Sequence, residues 1–278
     1  MRLATSLVLA GLAALPHSMS AQWTQGAAGK IWVKSALFIQ NTNERYTATG
    51  EREPYFAEGV ADSKALYNDF IVGLHPKLDF WLQVPYLDLT FTDINQTLSE
   101  KGIGDVRGWL RWNPIRLFGG QTPISIRVGA KAPLGESPLD AQIIPLGEGQ
   151  WDLEAFGEIG HSFWPVPGYA ILWLGYRVRF ENTEQVRDPG NEFVFLAEAG
   201  GNPTPGTFVK TTLDGFRGGP TEQDGVVTAS QRRITNLQFT GAVRIGPLWP
   251  EFSVRLPLAG QDFPAGVQFV IGASAQVR

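Results

Sequence analysis

Apolar and polar residues alternate with a period of two along most of the chain, which is the pattern of a β-strand with two unlike faces. In one such stretch, Asp105, Arg107 and Arg111 fall on one face of an extended segment. Val106 and Leu110 fall on the other face. Helical periodicity is nearly absent beyond the N-terminal segment. We therefore predict an all-β fold of about twelve strands, at 30–40, 64–74, 77–92, 103–113, 122–133, 150–164, 168–181, 191–201, 205–217, 231–246, 248–258 and 265–278.

The predicted strands are long, and the connections between them alternate in length. Most strands reach about ten residues, the length that a tilted strand needs to cross a bilayer, whereas strands of soluble sheets usually have about five or six. Outer-membrane barrels have short periplasmic turns and long external loops. The sequence thus predicts a closed antiparallel transmembrane β-barrel with short turns at its periplasmic end. Its long external loops are expected at 41–63, 93–102, 134–149, 182–190 and 218–230.

Composition narrows the class of protein. The 278 residues are 43% hydrophobic and 18% charged, which is too apolar for a disordered chain. The net charge of −4 argues against a nucleic-acid partner. The chain has no cysteine, so thiolate metal ligands and thiol nucleophiles are excluded. A mean hydropathy of −0.08, without a late apolar run long enough for a helical span, excludes a helical membrane protein but not a β-barrel.

The first residues are typical of a secretory signal peptide. Arg2 precedes an apolar run over 3–15, and small residues around Ala21 offer a cleavage site. We predict a signal peptide at 1–21 and a single outer-membrane β-barrel domain at 22–278. A buried N-terminal helix is the alternative. Export would be followed by insertion into the outer membrane, with its lipid and the barrel-assembly machinery as partners.

Ten charged residues share the polar faces of four consecutive strands, where a barrel would place them in its lumen. Basic residues occupy the fifth and seventh strands, and acidic residues occupy the sixth strand between them. Because opposite charges on neighbouring strands stabilise a sheet, one hypothesis is an ion-pair ladder that braces the wall. The other is a polar lining that holds water and selects passing solutes, and the two are compatible. The candidate site residues are Asp105, Arg107, Arg111, Arg127, Lys131, Asp152, Glu154, Glu158, Arg177 and Arg179.

Aromatic residues on the apolar faces fall near both ends of the predicted strands. Such rings are expected at the two membrane interfaces of a barrel. They are Phe80, Trp112 and Phe163 near the periplasmic end, and Tyr86, Trp151 and Phe180 near the external end.

Residues for catalysis or metal binding are scarce. A serine hydrolase needs a histidine beside its nucleophile, and only His75 and His161 remain after removal of the predicted signal peptide. We expect His161 to be an interfacial side chain; an outer-membrane hydrolase would instead need a serine near it. No two histidines have metal-ligand spacing, and the acidic stretch 188–192 is expected in a solvated loop. The sequence predicts a protein that is not an enzyme and has no cofactor or metal.

Several short segments follow one another in the order found in one outer-membrane family. They are GIGDVR at 102–107, VGAKAPLG at 128–135, LGEGQWD at 146–152 and LGYRVR at 174–179, with shorter pieces at 73–80, 84–86 and 268–272. Together they resemble the outer-membrane β-barrel family named for the meta-pathway of phenol degradation. The resemblance covers most of 64–278 and implies a barrel of roughly twelve strands with a role in small-molecule passage and no catalytic residues.

The C-terminus departs from the pattern of outer-membrane barrels, which usually end in an aromatic residue that the assembly machinery reads. This chain ends in Val277-Arg278. We expect Arg278→Phe to raise the yield of barrel in the membrane if the present signal is suboptimal. An unchanged yield would argue against that expectation.

Two functions follow from the predicted barrel. The first is an outer-membrane channel that passes small solutes passively through a charged polar lumen, and the family name suggests aromatic or other apolar compounds as solutes. The loop 41–63, with Tyr46, Tyr55 and Phe56, is the expected lid. The alternative is a non-transporting structural, adhesive or sensing barrel that acts through its external loops. A soluble periplasmic β-protein is a further alternative, which recovery without detergent would favour.

Overall fold

The computed structural model describes residues 28–140, 142–229 and 231–277, and nearly all regular structure in them is β-strand. Twelve long strands form the main sheet. They are β1 (Ile31–Thr42), β2 (Val60–His75), β3 (Leu78–Thr92), β4 (Thr97–Ile103 continued by Val106–Leu117), β5 (Thr122–Ala132), β6 (Asp152–Ser162), β7 (Gly168–Arg179), β8 (Glu192–Gly201), β9 (Thr207–Gly218), β10 (Arg233–Val243), β11 (Leu248–Gln261) and β12 (Gln268–Gln276).

Each strand pairs antiparallel with its neighbours in the chain, and the last strand pairs with the first. In this closing pair, Ala36 lies opposite Gly272 and Phe38 lies opposite Val270. β4 is a single strand interrupted after Ile103, since both of its parts pair with β3. A closed sheet leaves no edge of unpaired backbone groups, and this is the condition for strands to cross hydrocarbon.

The connections are short at one end of the barrel and mostly long at the other, as the sequence predicts. We call these ends the turn end and the loop end. The turns cover 76–77, 118–121, 163–167, 202–206 and 244–247, and the loops cover 43–59, 93–96, 133–151, 180–191, 219–232 and 262–267. The loops carry the short strands Glu44–Tyr46, Arg52–Pro54, Arg187–Asp188, Thr221–Gln223, Val226–Ala229 and Phe263–Pro264, and two short 3-10 turns lie at Phe56–Glu58 and Phe118–Gly120.

The side chains of the barrel are arranged inside out relative to a soluble protein. On the outer face, Val128, Leu174 and Phe269 are 49%, 45% and 48% exposed. On the inner face, Arg127 and Glu158 are 0% and 7% exposed. Burial of apolar surface is the main force that stabilises folds, so an apolar outer face of this extent is stable against lipid rather than water. The alternation that predicts the strands therefore also predicts which face of each strand lies on the outside of the barrel and which lies on the inside.

Exposed aromatic rings lie on the outer face near both ends of the barrel. Those near the turn end are Phe80, Trp112 and Phe163, and those near the loop end are Tyr86, Trp151 and Phe180. Amphipathic rings in two belts mark the two boundaries between lipid and water in membrane barrels.

The twelve predicted strands are confirmed in number and order, with one substantial difference at their boundaries. The stretch 93–102, predicted as a long loop, is mostly strand, because Thr97–Ile103 pairs with β3 from Thr92 back to Tyr86. Its residues Ser99, Glu100 and Lys101 are all polar. Its two large apolar residues, Leu98 and Ile103, lie an odd number of positions apart and so on opposite faces. The segment therefore has no hydrophobic alternation that would reveal it as a strand.

The interior holds two apolar clusters as well as charged residues. One cluster includes Trp81, Trp109 and Trp173. The other includes Phe38 and Tyr67 and lies towards the loop end. Trp109 and Trp173 lie on strands that also carry the predicted charges, so the lumen is less uniformly polar than the sequence indicates.

Within the described residues, no helix is long and apolar enough to cross a membrane. The predicted signal peptide at 1–21 lies outside the described residues.

Candidate functional site

All ten candidate residues lie in the interior of the barrel, and all ten are buried. They occupy β4, β5, β6 and β7, which are neighbours in the sheet, with Asp105 at the interruption of β4. The cross-strand register aligns Lys131 with Asp152 and Arg179, and it aligns Glu154 with Arg177. The predicted alternation of basic and acidic strands therefore brings opposite charges side by side.

Glu154 is the central acid of this set. Its Oε1 accepts a hydrogen bond from the Arg177 Nε at 2.9 Å and also contacts the Arg107 guanidinium. Its Oε2 accepts a hydrogen bond from the Trp109 indole at 2.9 Å. Breaking a buried pair by removing one partner is strongly destabilising, so these three residues depend on Glu154.

Glu192 extends the set to β8, although the sequence analysis placed it in a solvated acidic loop. It is 1% exposed, contacts the Arg177 guanidinium, and accepts a hydrogen bond from Arg179 at 3.1 Å. The prediction of a solvated loop over 188–192 is therefore wrong at Glu192, where the predicted strand 191–201 is correct. Glu192 and Glu198 lie an even number of residues apart, on the inward face, but apolar residues on both faces of β8 conceal that alternation.

Lys131 collects three carboxylates at the loop end. Its Nζ lies 3.0 Å from Asp105, 2.7 Å from Glu148 and 3.3 Å from Asp152. Glu148 belongs to the connection between β5 and β6 and was not among the candidate residues. Strand alternation carries no information about a loop residue, which explains why the sequence analysis missed it.

Glu148 is 3% exposed and is surrounded by cations. Besides Lys131, it contacts the Arg179 guanidinium, and its Oε1 lies 3.5 Å from Arg232 in the connection between β9 and β10. Burial alone would raise the pKa of the Glu148 carboxyl, but Arg179, Lys131 and Arg232 together hold this pKa well below its ordinary value of 4.5. Glu148 is therefore a carboxylate even in acidic medium.

The loop that carries Glu148 is fixed inside the barrel mouth by its backbone. The Asp105 carboxylate accepts hydrogen bonds from the backbone N–H of Gly135 at 3.2 Å and of Glu148 at 3.0 Å. Gly147 packs directly on Gly135, and a Cβ at Gly147 would lie 2.6 Å from the Gly135 carbonyl oxygen and 2.4 Å from the Asp105 carboxylate. Only glycine fits there. Segments 102–107, 128–135 and 146–152, which carry the family resemblance, thus meet at one place.

Arg127 is buried in a different way, nearer the turn end. Its guanidinium carbon lies 5.1 Å from the Trp81 ring, 5.6 Å from Trp109, 4.5 Å from Phe156 and 4.2 Å from Trp173. Cations are attracted to aromatic faces at such distances. The two terminal nitrogens of Arg127 have no hydrogen-bond partner among the described residues. We call Arg127 and these four rings the aromatic cage.

Glu158 and Arg111 lie next to the aromatic cage. Glu158 is 2.8 Å from the Arg127 Nε and 4.0 Å from Arg111, while Arg111 donates to Asp79 at 2.5 and 3.1 Å. A small cavity lies here and is lined also by Ser125, Ile171 and Trp173. The cavity lies in the turn half of the barrel, and its lining includes both polar and apolar side chains.

The remaining wall of the interior carries three further buried ion pairs that the sequence analysis did not name. Each pair joins inward side chains of two strands that are adjacent in the sheet or separated by one strand. The strands are β1 and β11, β8 and β9, and β9 and β11. The pairs are Lys34–Glu251 at 2.5 Å, Lys210–Glu198 at 2.9 Å and Arg255–Asp214 at 2.5 Å.

The loop 41–63, expected as the lid, lies over the rim of the barrel. Tyr46 and Tyr55 are buried, whereas Phe56 is 90% exposed. The strand Glu44–Tyr46 pairs with Phe263–Pro264 of the last loop. This loop therefore contributes two of its three predicted aromatic residues to the interior. The charged residues of the lumen are contacted instead by the loop that carries Glu148.

His161 and the acidic side chains were considered from the sequence as candidates for catalysis and metal binding. The Nδ1 of His161 lies 2.7 Å from the Thr122 hydroxyl, and its ring packs edge-on against Phe163 at 5.0 Å. Neither neighbour supplies a carboxylate that would orient the imidazole. Across 28–140, 142–229 and 231–277, no group of three or more histidine, aspartate or glutamate side chains is placed to hold a metal ion.

Comparisons with known proteins bear on the fold. No family profile and no curated protein matches the sequence. The chain is similar to the COG4313 outer membrane channel from Pseudomonas putida F1, with a TM-score of 0.79 and 14% identity over 94% of this chain and 100% of that one. It is similar also to the translocator domain of the autotransporter NalP from Neisseria meningitidis, with a TM-score of 0.50 and 9% identity over 90% and 89% of the two chains. These likenesses, together with the closed inside-out sheet, show that the chain has the fold of outer-membrane β-barrels.

Proposed function

We propose that the chain forms an outer-membrane channel for small solutes. The observation that carries this proposal is the reversal of polarity in a closed barrel, with apolar side chains outside and ionised side chains around the axis. A membrane barrel built only for anchorage has no need of so many buried charges, which are costly to desolvate. The similarity in fold to a solved outer membrane channel supports the proposal.

In this proposal, the described structure corresponds to a closed state of the channel. The side chains of the inner face are buried, and the loop with Glu148 occupies the loop end of the lumen. Passage of a solute therefore requires that loop to leave, after which Lys131 and Arg179 would face the path. The ion pairs then have both roles considered from the sequence, since they brace the wall and line the route.

The solutes that suit this interior are small molecules with an apolar part. The two apolar clusters and the aromatic cage provide surfaces for aromatic or other apolar compounds. Charged groups nearby would orient them, as a few polar groups do in most small-molecule sites. Outer-membrane lipid surrounds the barrel in this proposal, after export and insertion by the barrel-assembly machinery.

Planar-bilayer recording of the full chain tests the proposal. Gly147→Ala places a methyl group against Gly135 and Asp105, which should displace the loop and raise single-channel conductance several-fold over the unmodified chain. Gly157→Ala is the matched control, because a Cβ at Gly157 meets nothing within 4 Å. Absence of current from both the unmodified chain and Gly147→Ala would refute the channel.

A non-transporting barrel is the second candidate, and the packed interior favours it. If the ion pairs only brace the wall, the Gly147→Ala barrel should insert normally and remain silent. Membrane fractionation provides the prior check on both candidates, since each requires recovery of the chain with the outer membrane and only after detergent extraction.

A further inference from the structure

At the loop end of the lumen, the carboxylate of Glu148 lies among three cations. One carboxylate there contacts three cations, Lys131, Arg179 and Arg232. They come from β5, β7 and the connection between β9 and β10, so they converge on one point from three sides. Arginine and lysine arranged in this way are the usual partners of carboxylate ligands.

A fourth cation strengthens the positive potential at this point. Burial and the neighbouring Arg232 lower the pKa of Arg187 to about 10. Burial is the largest cause of this lowering, Arg232 and Arg179 add to it, and the Glu148 carboxylate opposes it. Removal of the Glu148 carboxylate would leave this group of cations short of one negative charge.

The loop also fills an apolar surface next to the cations. Ile144 and Leu146, which precede Glu148 at intervals of two residues, are 3% and 4% exposed. They belong to the cluster that includes Leu87, Leu89 and other inward residues of the barrel wall. The loop thus presents an apolar group and a carboxylate together to a surface that has an apolar part and a cationic part.

We propose that this surface binds small monocarboxylates with an apolar body, and that Glu148 with Ile144 and Leu146 is an internal substitute for them. The inference rests on the proposed channel and names the class of solute that opens it. Loss of the loop carboxylate removes the Arg232–Glu148 ion pair, and it leaves Lys131 with Asp105 and Asp152 and Arg179 with Glu192. The buried cations at this point then have one negative charge fewer beside them, which is costly. An incoming carboxylate replaces the lost charge, and its apolar body covers the surface that the two side chains leave.

The reactivity of one cysteine can report the exchange in the full chain. Because the sequence contains no cysteine, Ile144→Cys gives a single thiol at a position that is 3% exposed. A water-soluble maleimide should react with it slowly, and benzoate should raise the rate about tenfold by drawing the loop away. Benzyl alcohol, which has the same ring without the carboxylate, should leave the rate unchanged. Equal rates with and without benzoate would overturn the proposal.

A charge variant provides the second measurement. Glu148→Gln removes the internal competitor, so the dissociation constant of benzoate, measured by titration calorimetry in detergent micelles, should fall about tenfold. Glu136→Gln is the matched control, since Glu136 lies in the same loop with an exposed side chain. Equal benzoate affinity in the two variants would contradict the assignment of the site.

These measurements fail separately from the channel proposal. A chain that conducts in bilayers but shows no benzoate effect at residue 144 refutes the carboxylate site and leaves the channel. A chain that binds benzoate as described but carries no current in any variant refutes the channel and leaves a binding barrel.

Discussion

The two ends of the interior compensate buried charge by different means. At the loop end, carboxylates hold the arginines, and Glu154 alone contacts both Arg107 and Arg177. Nearer the turn end, four aromatic rings surround Arg127, whose terminal nitrogens have no hydrogen-bond partner among the described residues. The loop-end network is closed upon itself, whereas the aromatic cage borders a cavity.

The difference indicates how each region responds to change. In the network every charge has a specific partner, so the loss of one member leaves its neighbours with uncompensated charge in a buried place. In the cage the rings attract the guanidinium without directed hydrogen bonds. They can also pack against an apolar side chain, so the cage should tolerate the loss of its charge.

The largest expected effect is on the network. Glu154→Gln removes the charge that two arginines share, and the free energy of unfolding should fall by about 3–5 kcal/mol. Urea unfolding in detergent micelles measures it. Glu184→Gln, at an exposed residue of the connection between β7 and β8, is the control and should change stability little. Equal stability of the two variants would contradict the described network.

A smaller effect is expected in the cage. Arg127→Leu removes one ion pair but places an apolar side chain among four rings, while Glu158 keeps Arg111 nearby. The free energy of unfolding should fall by about 1–2 kcal/mol, measured in the same urea series. A loss as large as that of Glu154→Gln would mean that the two regions do not differ in the proposed way.

The smallest effect is expected from mild acid. The pKa of Glu148 lies below 4.5 in the folded barrel, so its ion pairs stabilise the closed loop at and above pH 4.5 and are lost only as the pH falls through the lower, folded value. Single-channel conductance should therefore be the same at pH 7 and pH 4.5. Opening of the channel between these values would place the pKa of Glu148 above its ordinary range and contradict the three-cation contact.

The sequence predicts the barrel well because a membrane barrel imposes a simple rule on every strand: apolar residues face the lipid and polar residues face the lumen, in alternation. Arg127 and Val128 are neighbours in the chain, and the rule alone assigns one to the lumen and the other to lipid. The rule fails where the two faces of a strand do not differ in polarity. Leu98 is the one large apolar residue of 97–102, a stretch predicted as loop. β8 has apolar residues on both faces, which conceals Glu192.

The candidate site is predictable only in part. The four charged strands and their order follow from alternation, and the structure places all ten named residues in the interior. Glu148 does not follow, because it lies in a connection, and no periodicity tells where a loop folds back. Arg232 was placed at the start of the predicted strand 231–246, whereas in the structure it is the last residue before β10. The glycines on either side of Glu148 were a signal, since Gly147 permits the close backbone approach that brings the carboxylate to Lys131.

Thiol labelling in outer-membrane vesicles tests most directly whether ionised residues surround a closed aqueous path. Ser253→Cys lies on the inner face, where Ser253 is 0% exposed, and Val128→Cys lies on the outer face. Ser253→Cys should resist a water-soluble thiol reagent in the unmodified background and react once Gly147→Ala is added, whereas Val128→Cys should react only with a membrane-permeant reagent. Ready reaction of Val128→Cys with the water-soluble reagent, together with an inert Ser253→Cys in both backgrounds, would contradict the account.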